Sequence, residues 1–213
     1  MMLPVAAPKV IALLLLVQAE HWPQAPAASV MAAQIEKETC ITLTHPSCFS
    51  PRAELKTARE NGVGLGQITR AYNADGSIRF DKQAELRAQH AALKHWKWEQ
   101  RYDPRLQLTA LVLMDRTGYQ RFAPLAATPT DAWSFTLAGY NGGDGAVQKD
   151  RLLCQKRPDC DPRRWFGHVE LHSVKSRVKW RGYGQSTYDI NRGYVRRVID
   201  RAPAYANFWK DRG

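Results

Sequence analysis

Hydrophobic positions recur with helical spacing along most of the chain. Residues three or four positions apart line one face of a helix, so this spacing predicts helices rather than strands. Six helices are predicted, over 9–20, 27–39, 81–98, 104–117, 131–140 and 190–200. Few stretches alternate between apolar and polar residues, so we expect a mainly α fold with little or no sheet.

The clearest core helix begins near Pro104. In the stretch LQLTALVLMD, the apolar residues Leu108, Leu111 and Val112 share one helical face. Proline is favoured in the first turn of a helix, because its missing N–H is not needed there. We expect this helix to run through the core.

The apolar run VIALLLLV, at 10–17, is far shorter than the ~20 residues that a membrane-spanning helix needs. Our leading interpretation of residues 1–26 is an apolar segment that supplies the first core helix. Lys9 and the sequence APA at 25–27 also resemble parts of a secretory signal. A signal peptide and a weakly inserted signal anchor, with transient inner-membrane contact, therefore remain alternatives.

Length and composition are those of one globular domain, which we place at 27–213. The chain has 213 residues, 44% of them hydrophobic, with seven Trp and eight Tyr, enough for a core. The formal net charge of +11 implies an anionic partner or surface. Nucleic acid, an anionic membrane face and cell-wall polymer all satisfy that requirement.

The four cysteines form two local pairs, Cys40 with Cys48 and Cys154 with Cys160. Each pair brackets a polar loop that contains proline, which predicts two short disulfide-closed loops and an oxidising compartment. Reduced structural cysteines are the alternative.

A zinc site is a further alternative for one of these pairs. Cys154 and Cys160 are followed by His168 and His172, but the spacing does not match that of zinc fingers. The histidines stand in HVELH, which lacks the order of a metalloprotease motif. We therefore expect no metal and predict a surface helix there.

The segment from 168 to 201 mixes Lys and Arg with Trp180, Tyr183, Tyr188 and Tyr194. Such a mixture can bind a polyanion or stack against sugar rings. The alternative is a solvated basic face with a few core aromatics.

The helix predicted over 27–39 ends in an unusual way. Met31, Ile35 and Glu38 fall at i, i+4 and i+7, so an acid continues the apolar face while Glu36 points roughly the opposite way. The ordinary explanation is a fraying helix end with Glu38 turned to solvent.

Two further short motifs follow IEKET (35–39) along the chain, GLGQIT (64–69) and LAGYNGG (137–143). The glycine-rich loop lacks the Lys-Ser/Thr ending of a phosphate-binding P-loop. Its glycines instead let the backbone approach a ligand closely, sugars included.

In this order, and with INRGYVRRV at 190–198, the motifs resemble the soluble lytic transglycosylase branch of the lysozyme superfamily. That family shows I-x-x-E-S, G-L-M-Q, A-Y-N and T-R-x-Y-V-x-x-V. The phrases SPRAELKT and RWFGHVE and the cysteine loops look more like its phage endolysin versions. Four positions depart from the family pattern: Thr39 for Ser, Gly66 for Met, Gly139 for Ala and Asn191 for Thr.

The resemblance implies an α+β lysozyme-like fold with a substrate cleft, in which Glu38 is the catalytic acid. A carboxyl on the apolar side of a helix and near its negative end is disfavoured as an anion, so we expect a raised pKa for Glu38. The resemblance implies that Gln67, Tyr140 and Asn141 hold the glycan and that Tyr194 lies near Glu38. Tyr140 and Tyr194 as core aromatics are the alternative.

The implied reaction is cleavage of the β-1,4 bond between N-acetylmuramic acid and N-acetylglucosamine in peptidoglycan. In a lytic transglycosylase the 6-hydroxyl of the sugar attacks and leaves a 1,6-anhydro end, whereas in a muramidase water attacks. A hydrolase often needs a second carboxylate, for which Glu54 and Glu60 are candidates unless they are surface acids.

We therefore expect a monomeric enzyme of phage-type lysis that acts on peptidoglycan glycan strands in the periplasm or cell-wall layer, without a cofactor. A basic nucleic-acid-binding module, with or without zinc, is the alternative from another class. It explains the charge and the aromatic tail but leaves Glu38, GLGQ and GYN without a role, so we expect no nucleic-acid partner.

Overall fold

The computed structural model describes residues 2–179 and 184–212. Within this part of the chain, 56% of the residues are helical and one small antiparallel sheet has four strands. The seven α-helices described are α1 (Ala7–His21), α2 (Ser29–Thr39), α3 (Lys82–Gln89), α4 (Pro104–Phe122), α5 (Pro129–Gly142), α6 (Asp144–Gln155) and α7 (Thr187–Arg201). The strands are β1 (Glu54–Lys56), β2 (Glu60–Val63), β3 (Ile68–Tyr72) and β4 (Ile78–Asp81).

The chain divides into two compact units, and the boundary falls within α4. The first unit comprises the described residues up to Leu113 and those from Ala204 onward, and it holds α1, α2, α3 and the sheet. The second comprises the described residues of Met114–Pro203 and holds α5, α6 and α7.

Five of the predicted helices form where the apolar spacing placed them, as α1, α2, α4, α5 and α7. In α4 the face formed by Leu108, Leu111 and Val112 is fully buried, which confirms a core helix. Helix α1 buries Ile11 and Leu14 completely, as a first core helix requires. None of the described helices is long and apolar enough to span a membrane.

The helix predicted over 81–98 is too long, because α3 ends at Gln89. His90 is extended, and single 3-10 turns at Ala91–Leu93 and Trp98–Gln100 follow. The Gln83 side chain donates to the Lys97 carbonyl at 3.1 Å. A buried side chain of α3 thus satisfies a backbone carbonyl of the irregular stretch that follows the helix.

Helix α6 was not predicted. Its buried positions are Val147, Asp150 and Cys154, which have helical spacing. The middle position is an acid, so the apolar pattern that would have indicated a helix is interrupted.

The mainly helical fold with little sheet agrees with the expectation, but the sequence analysis did not locate the four short strands. Strands β1 to β4 form an antiparallel meander in chain order. All three residues of β1 are exposed, and β4 has no buried residue, so these strands lack the alternation that predicts a half-buried strand. The signal that was present is the turn sequence NADG at 73–76, where Gly76 has a φ of +82°.

Candidate active site

The last turn of α2 carries Glu38. Met31 and Ile35, which precede it on the same side of the helix, are fully buried, whereas Glu38 is half-buried. The apolar side of the helix therefore continues into a partly sheltered carboxyl group.

Thr39 fastens the end of α2. Its hydroxyl donates to the Ile35 carbonyl oxygen at 2.6 Å and accepts from the Phe49 backbone N–H at 2.9 Å. The Ser47 hydroxyl donates to the Thr39 carbonyl at 2.7 Å. Because Thr39 is only 4% exposed, water competes little for these bonds. The residue after Glu38 thus belongs to an ordered turn and not to a fraying end.

A disulfide closes the loop that follows. Cys40 and Cys48 are bonded, with their Cα atoms 4.0 Å apart, which confirms the predicted pair. Cys48 is buried. The chain that leaves α2 two residues after Glu38 is therefore constrained covalently as well as by hydrogen bonds.

Glu36 has a different partner. Its carboxylate accepts a hydrogen bond from the hydroxyl of Tyr205, which is fully buried and packs against Phe49 with ring centroids 5.9 Å apart. Glu36 is half-buried. This acid therefore joins α2 to the part of the first unit that begins at Ala204.

The GLGQ stretch forms the loop between β2 and β3. Gly64 has a φ of +75° and Gln67 a φ of +46°, so both occupy the left-handed region. The Gln67 Nε2 donates to the carbonyls of Gly64 (3.0 Å) and Ala53 (3.3 Å), while its Oε1 is buried without a hydrogen-bond partner in the described part of the chain. The amide nitrogen of Gln67 is thus used within the loop.

Gln107 of α4, which the sequence analysis missed, holds this loop in place. It is fully buried, its Oε1 accepts from the Leu65 N–H at 3.0 Å, and its Nε2 donates to the carbonyls of Pro51 (2.8 Å) and Arg101 (2.5 Å). A Cβ on Gly64 would lie 2.1 Å from the Gln107 amide, so a larger residue does not fit. The sequence feature that could have identified Gln107 is a glutamine within an otherwise apolar helical stretch.

The two candidate second acids lie at the sheet. Glu54 begins β1 and accepts a hydrogen bond from the Tyr102 hydroxyl. Glu60 begins β2 and pairs with Arg79 at 3.8 Å, where both side chains are more than half exposed. Both acids are exposed, so the arrangement of Glu60 is that of a surface acid, whereas Glu54 has a tyrosine partner.

In the second unit, the GYN and INRGYV motifs are brought together by the packing of α5 on α7. The rings of Tyr140 and Tyr194 are stacked, 6.5 Å apart and inclined by 8°. Tyr194 is only 2% exposed, Tyr140 is half-buried and Asn141 is exposed. Tyr194 is therefore the buried member of the stacked pair, while Tyr140 and the adjacent Asn141 reach the surface.

Asn191 connects these two motifs. Its Nδ2 donates to the Ala138 carbonyl and to the Oδ1 of Asn141, both at 3.0 Å. Its Oδ1 accepts from Arg192 at 2.8 Å. Asn191 is thus a buried link between α5 and α7.

Arg192 was not identified from the sequence. It is buried and pairs with Asp150 at 2.7 Å, and it donates to the carbonyls of Glu170 (3.0 Å) and His172 (3.0 Å). Burying an ion pair is costly unless its hydrogen bonds are satisfied, as they are here. This arginine therefore belongs to the core, although the sequence suggests a solvated basic segment.

The second disulfide is also confirmed. Cys154 and Cys160 are bonded, with a Cα separation of 5.3 Å. Since disulfide sulfurs are not thiolates, this pair is not available as zinc ligands. His168 accepts a hydrogen bond from the Asp161 N–H. In the described ranges, no group of three or more His, Cys, Asp or Glu residues is arranged to hold a metal ion.

The surface helix predicted at HVELH was wrong. Val169–Leu171 is a single 3-10 turn in which Val169 and Glu170 are buried. Glu170 pairs with Arg196 of α7 at 2.9 Å and accepts from the Gly167 N–H at 2.8 Å. The acid is drawn inward by these partners, so the segment packs on α7 and does not form a solvated helix.

The aromatic residues of the basic segment have different settings. Trp180 and Tyr183 lie outside the described residues. Tyr188 donates to the Glu170 carbonyl at 2.9 Å and stacks under Arg177, 3.7 Å from the ring centroid. Together with buried Tyr194, Tyr188 therefore serves packing within the second unit.

The predicted site residues divide between the two units. Glu38 and Gln67 lie in the first, whereas Tyr140, Asn141 and Tyr194 lie together in the second. A scan of family models and searches of curated proteins and of solved structures find no match to this chain. The chemistry of these residues is therefore the basis on which a function is proposed.

The hydrogen bonds that hold the end of α2 are tested by replacing Thr39. Thr39→Val keeps the shape but removes the hydroxyl, so the buried Phe49 N–H loses its acceptor. We expect a loss of about 2 kcal/mol in the free energy of unfolding, measured by urea denaturation. Thr39→Ser should restore most of it, and Thr44→Val, at an exposed position of the same loop, should have almost no effect.

Two buried glutamines provide a second test. Gln107→Leu breaks three hydrogen bonds to the backbone and should cost about 2 kcal/mol or more of stability. Gln34 is equally buried, but its amide makes no hydrogen bond within the described residues, so Gln34→Leu should be nearly neutral. Equal urea midpoints for the two variants would contradict the role assigned to Gln107.

Proposed function

We propose that this chain is a peptidoglycan-cleaving glycosidase with a lysozyme-like fold, of the lytic transglycosylase type, in which Glu38 is the general acid and base. The observation that carries the proposal is the setting of Glu38, a half-buried carboxyl on a helix end clamped by Thr39 and by a disulfide. The mainly helical fold with a small antiparallel sheet is compatible with it.

A clamped helix end suits a general acid. Proton transfer requires the carboxyl within hydrogen-bond reach of the reacting oxygen, and a rigid backbone keeps it there. Glu38, the acid that matches the quoted motif, is the acid of this turn proposed to act on substrate, whereas Glu36 accepts a hydrogen bond from Tyr205.

In the proposed reaction, Glu38 protonates the bridging oxygen between N-acetylmuramic acid and N-acetylglucosamine, and the glycosidic bond breaks. The Glu38 carboxylate then removes the proton from the 6-hydroxyl of the muramic acid as that oxygen attacks the anomeric carbon. An intramolecular nucleophile has a high effective concentration, so one carboxyl group suffices.

The remaining site residues are proposed to act in different ways. Asn141 is exposed, and Tyr140 is stacked on buried Tyr194, so Asn141 and Tyr140 would touch the glycan while Tyr194 supports them. Because the Gln67 amide nitrogen bonds within its own loop, its role would be to shape the GLGQ loop.

The setting of the reaction is also proposed. Two disulfides indicate an oxidising, extracellular type of compartment, and a net charge of +11 favours an anionic wall. We propose a monomer that acts without a cofactor in the periplasm or cell-wall layer during phage-type lysis. Exposed Leu16 on α1 would permit a transient contact with the inner membrane.

A hydrolytic muramidase on the same fold is the second candidate. The observation that favours it is the hydrogen bond from Tyr102 to Glu54 at the start of β1, because a second positioned carboxylate is what water attack often requires. For a nucleic-acid-binding module stapled by zinc, Cys154 and Cys160 would not be available as ligands, since they form a disulfide.

Glu38→Gln should abolish nearly all cleavage of purified peptidoglycan, because the amide retains size and polarity but cannot donate the proton. The measurement is release of soluble muropeptides. Glu36→Gln is the matched control on the same turn, since an amide oxygen can still accept from Tyr205, and it should retain most activity. Equal activity of both variants would refute the assignment of Glu38, and an inactive wild-type protein would refute the function.

The products identify the nucleophile. Attack by the 6-hydroxyl leaves 1,6-anhydromuramic ends, which are lighter by one water than reducing ends. We expect mass spectra of a complete digest to show anhydro ends. Reducing ends alone would make the enzyme a hydrolase, and Glu54→Gln and Glu60→Gln would then distinguish which acid assists water.

A further inference from the structure

A group of hydrogen-bond donors lies at the C-terminal end of α5, and not all of its members belong to the motifs quoted above. It consists of the donors of Asn141, Asn191 and Lys175 around the backbone of Gly142, whose carbonyl accepts from Lys175, and we call it the α5 donor cluster. Lys175 belongs to none of the motifs that carry the resemblance. All four residues lie within the second unit.

Hydrogen bonds from buried residues fix the orientation of the Asn141 side chain. Buried Arg192 donates to the Oδ1 of Asn191, so the Nδ2 of Asn191 faces the Ala138 carbonyl and the Oδ1 of Asn141. The acceptor end of the exposed Asn141 amide is therefore occupied, and its NH₂ end is directed away from Asn191. This end presents donors without having to reorganise.

Lys175 adds a positive charge beside this amide. Its Nζ donates to the Gly142 carbonyl at 3.0 Å, which uses one of the three donors of an ammonium group. The side chain is half-buried, and burial together with Arg192 lowers its pKa, while Asp150 acts in the opposite direction. A cation that has lost part of its hydration gains more from an anionic ligand than an exposed lysine does.

Gly142 leaves room for these groups to converge. A Cβ at this position would lie 2.5 Å from the Lys175 Nζ and 2.8 Å from the Asn191 Nδ2. The ammonium and the Asn191 amide thus both lie close to a backbone that has no side chain. Because the Asn191 Nδ2 already donates to Ala138 and Asn141, the donors of this cluster that can meet a ligand are those of the Lys175 ammonium and of the NH₂ end of Asn141.

We propose that the α5 donor cluster is a subsite for a carboxylate of the stem peptide that muramic acid carries. The inference rests on the proposed function and extends it to the peptide. The glycan itself is neutral apart from this substituent, so the stem peptide is where a cation beside Asn141 finds an anion. Lys175 then determines a preference for wall that bears peptide, and Asn141 contacts the same ligand through its NH₂.

A purely structural role makes a different prediction. An ammonium at the C-terminal end of a helix is favoured by the helix dipole and caps the last carbonyls. If capping were its whole role, loss of Lys175 would lower stability and would affect every substrate equally.

The experiment compares Lys175→Met on two forms of one polymer, native peptidoglycan and peptidoglycan whose carboxylates have been converted to amides. On native wall we expect kcat/KM to fall about tenfold, mainly through KM, because a hydrogen-bonded charge contact is lost. On amidated wall the variant and the wild type should be equal. Equal losses on both polymers, or no loss on native wall, would overturn the subsite.

Two matched variants distinguish loss of the Lys175 contact from a change in net charge and from a loss of folding. Lys149→Met removes a charge from an exposed position of α6 in the same unit and should leave the ratio between the two polymers as in the wild type. Lys175→Arg should restore part of the preference. A ratio changed as much by Lys149→Met would attribute the preference to net charge and overturn the proposal.

A binding measurement keeps the inference separate from the catalytic proposal. N-acetylmuramyl-L-alanyl-D-glutamate and its diamide can be titrated into the full-length protein labelled with ¹⁵N, and the Asn141 side-chain resonances followed. Shifts with the acid, absent with the diamide and in Lys175→Met, would support the subsite even if no wall cleavage occurred. Identical responses to acid and diamide would refute it even in an active enzyme.

Discussion

The buried ion pair between Arg192 and Asp150 is the interaction on which the second unit depends. Asp150 is completely buried and Arg192 nearly so, and removing two charges from water costs several kcal/mol per ion. The cost is offset because Arg192 also donates to backbone carbonyls, while Asp150 accepts from Ser173 and from the Val174 N–H. One pair thus joins α6, α7 and the irregular chain between them.

The same pair reaches the candidate site through Asn191. An amide donates and accepts at opposite ends, whereas a threonine would offer a single hydroxyl. Asn191 can therefore take a hydrogen bond from Arg192 and give two to α5. An asparagine at 191 therefore orients Asn141, the exposed asparagine of the GYN motif.

In the first unit, buried neutral side chains join a helix to a neighbouring loop. Thr39 ties the end of α2 to the loop at Phe49, and Gln107 ties α4 to the loop at Leu65. Apolar burial has no direction and cannot by itself select one loop conformation. Directional hydrogen bonds from buried polar groups can select one loop conformation. In both places they hold a segment that carries one of the quoted motifs.

Helical spacing alone located α1, α2, α4, α5 and α7, and the two local cysteine pairs predicted both disulfides. These features are encoded within a few residues of sequence, so periodicity and composition determine them. The order of the motifs also predicts Glu38 as the catalytic acid, which stays a prediction.

Only the tertiary structure decided the features that depend on distant partners. Strands β1 and β4 are too short and too exposed to alternate, and they form because β2 and β3 pair with them. Helix α6 was hidden by Asp150, whose burial depends on Arg192, 42 residues later. Gln107 and Lys175 looked like ordinary polar residues for the same reason. A hydrogen bond or charge contact made across the fold leaves no local period in the sequence.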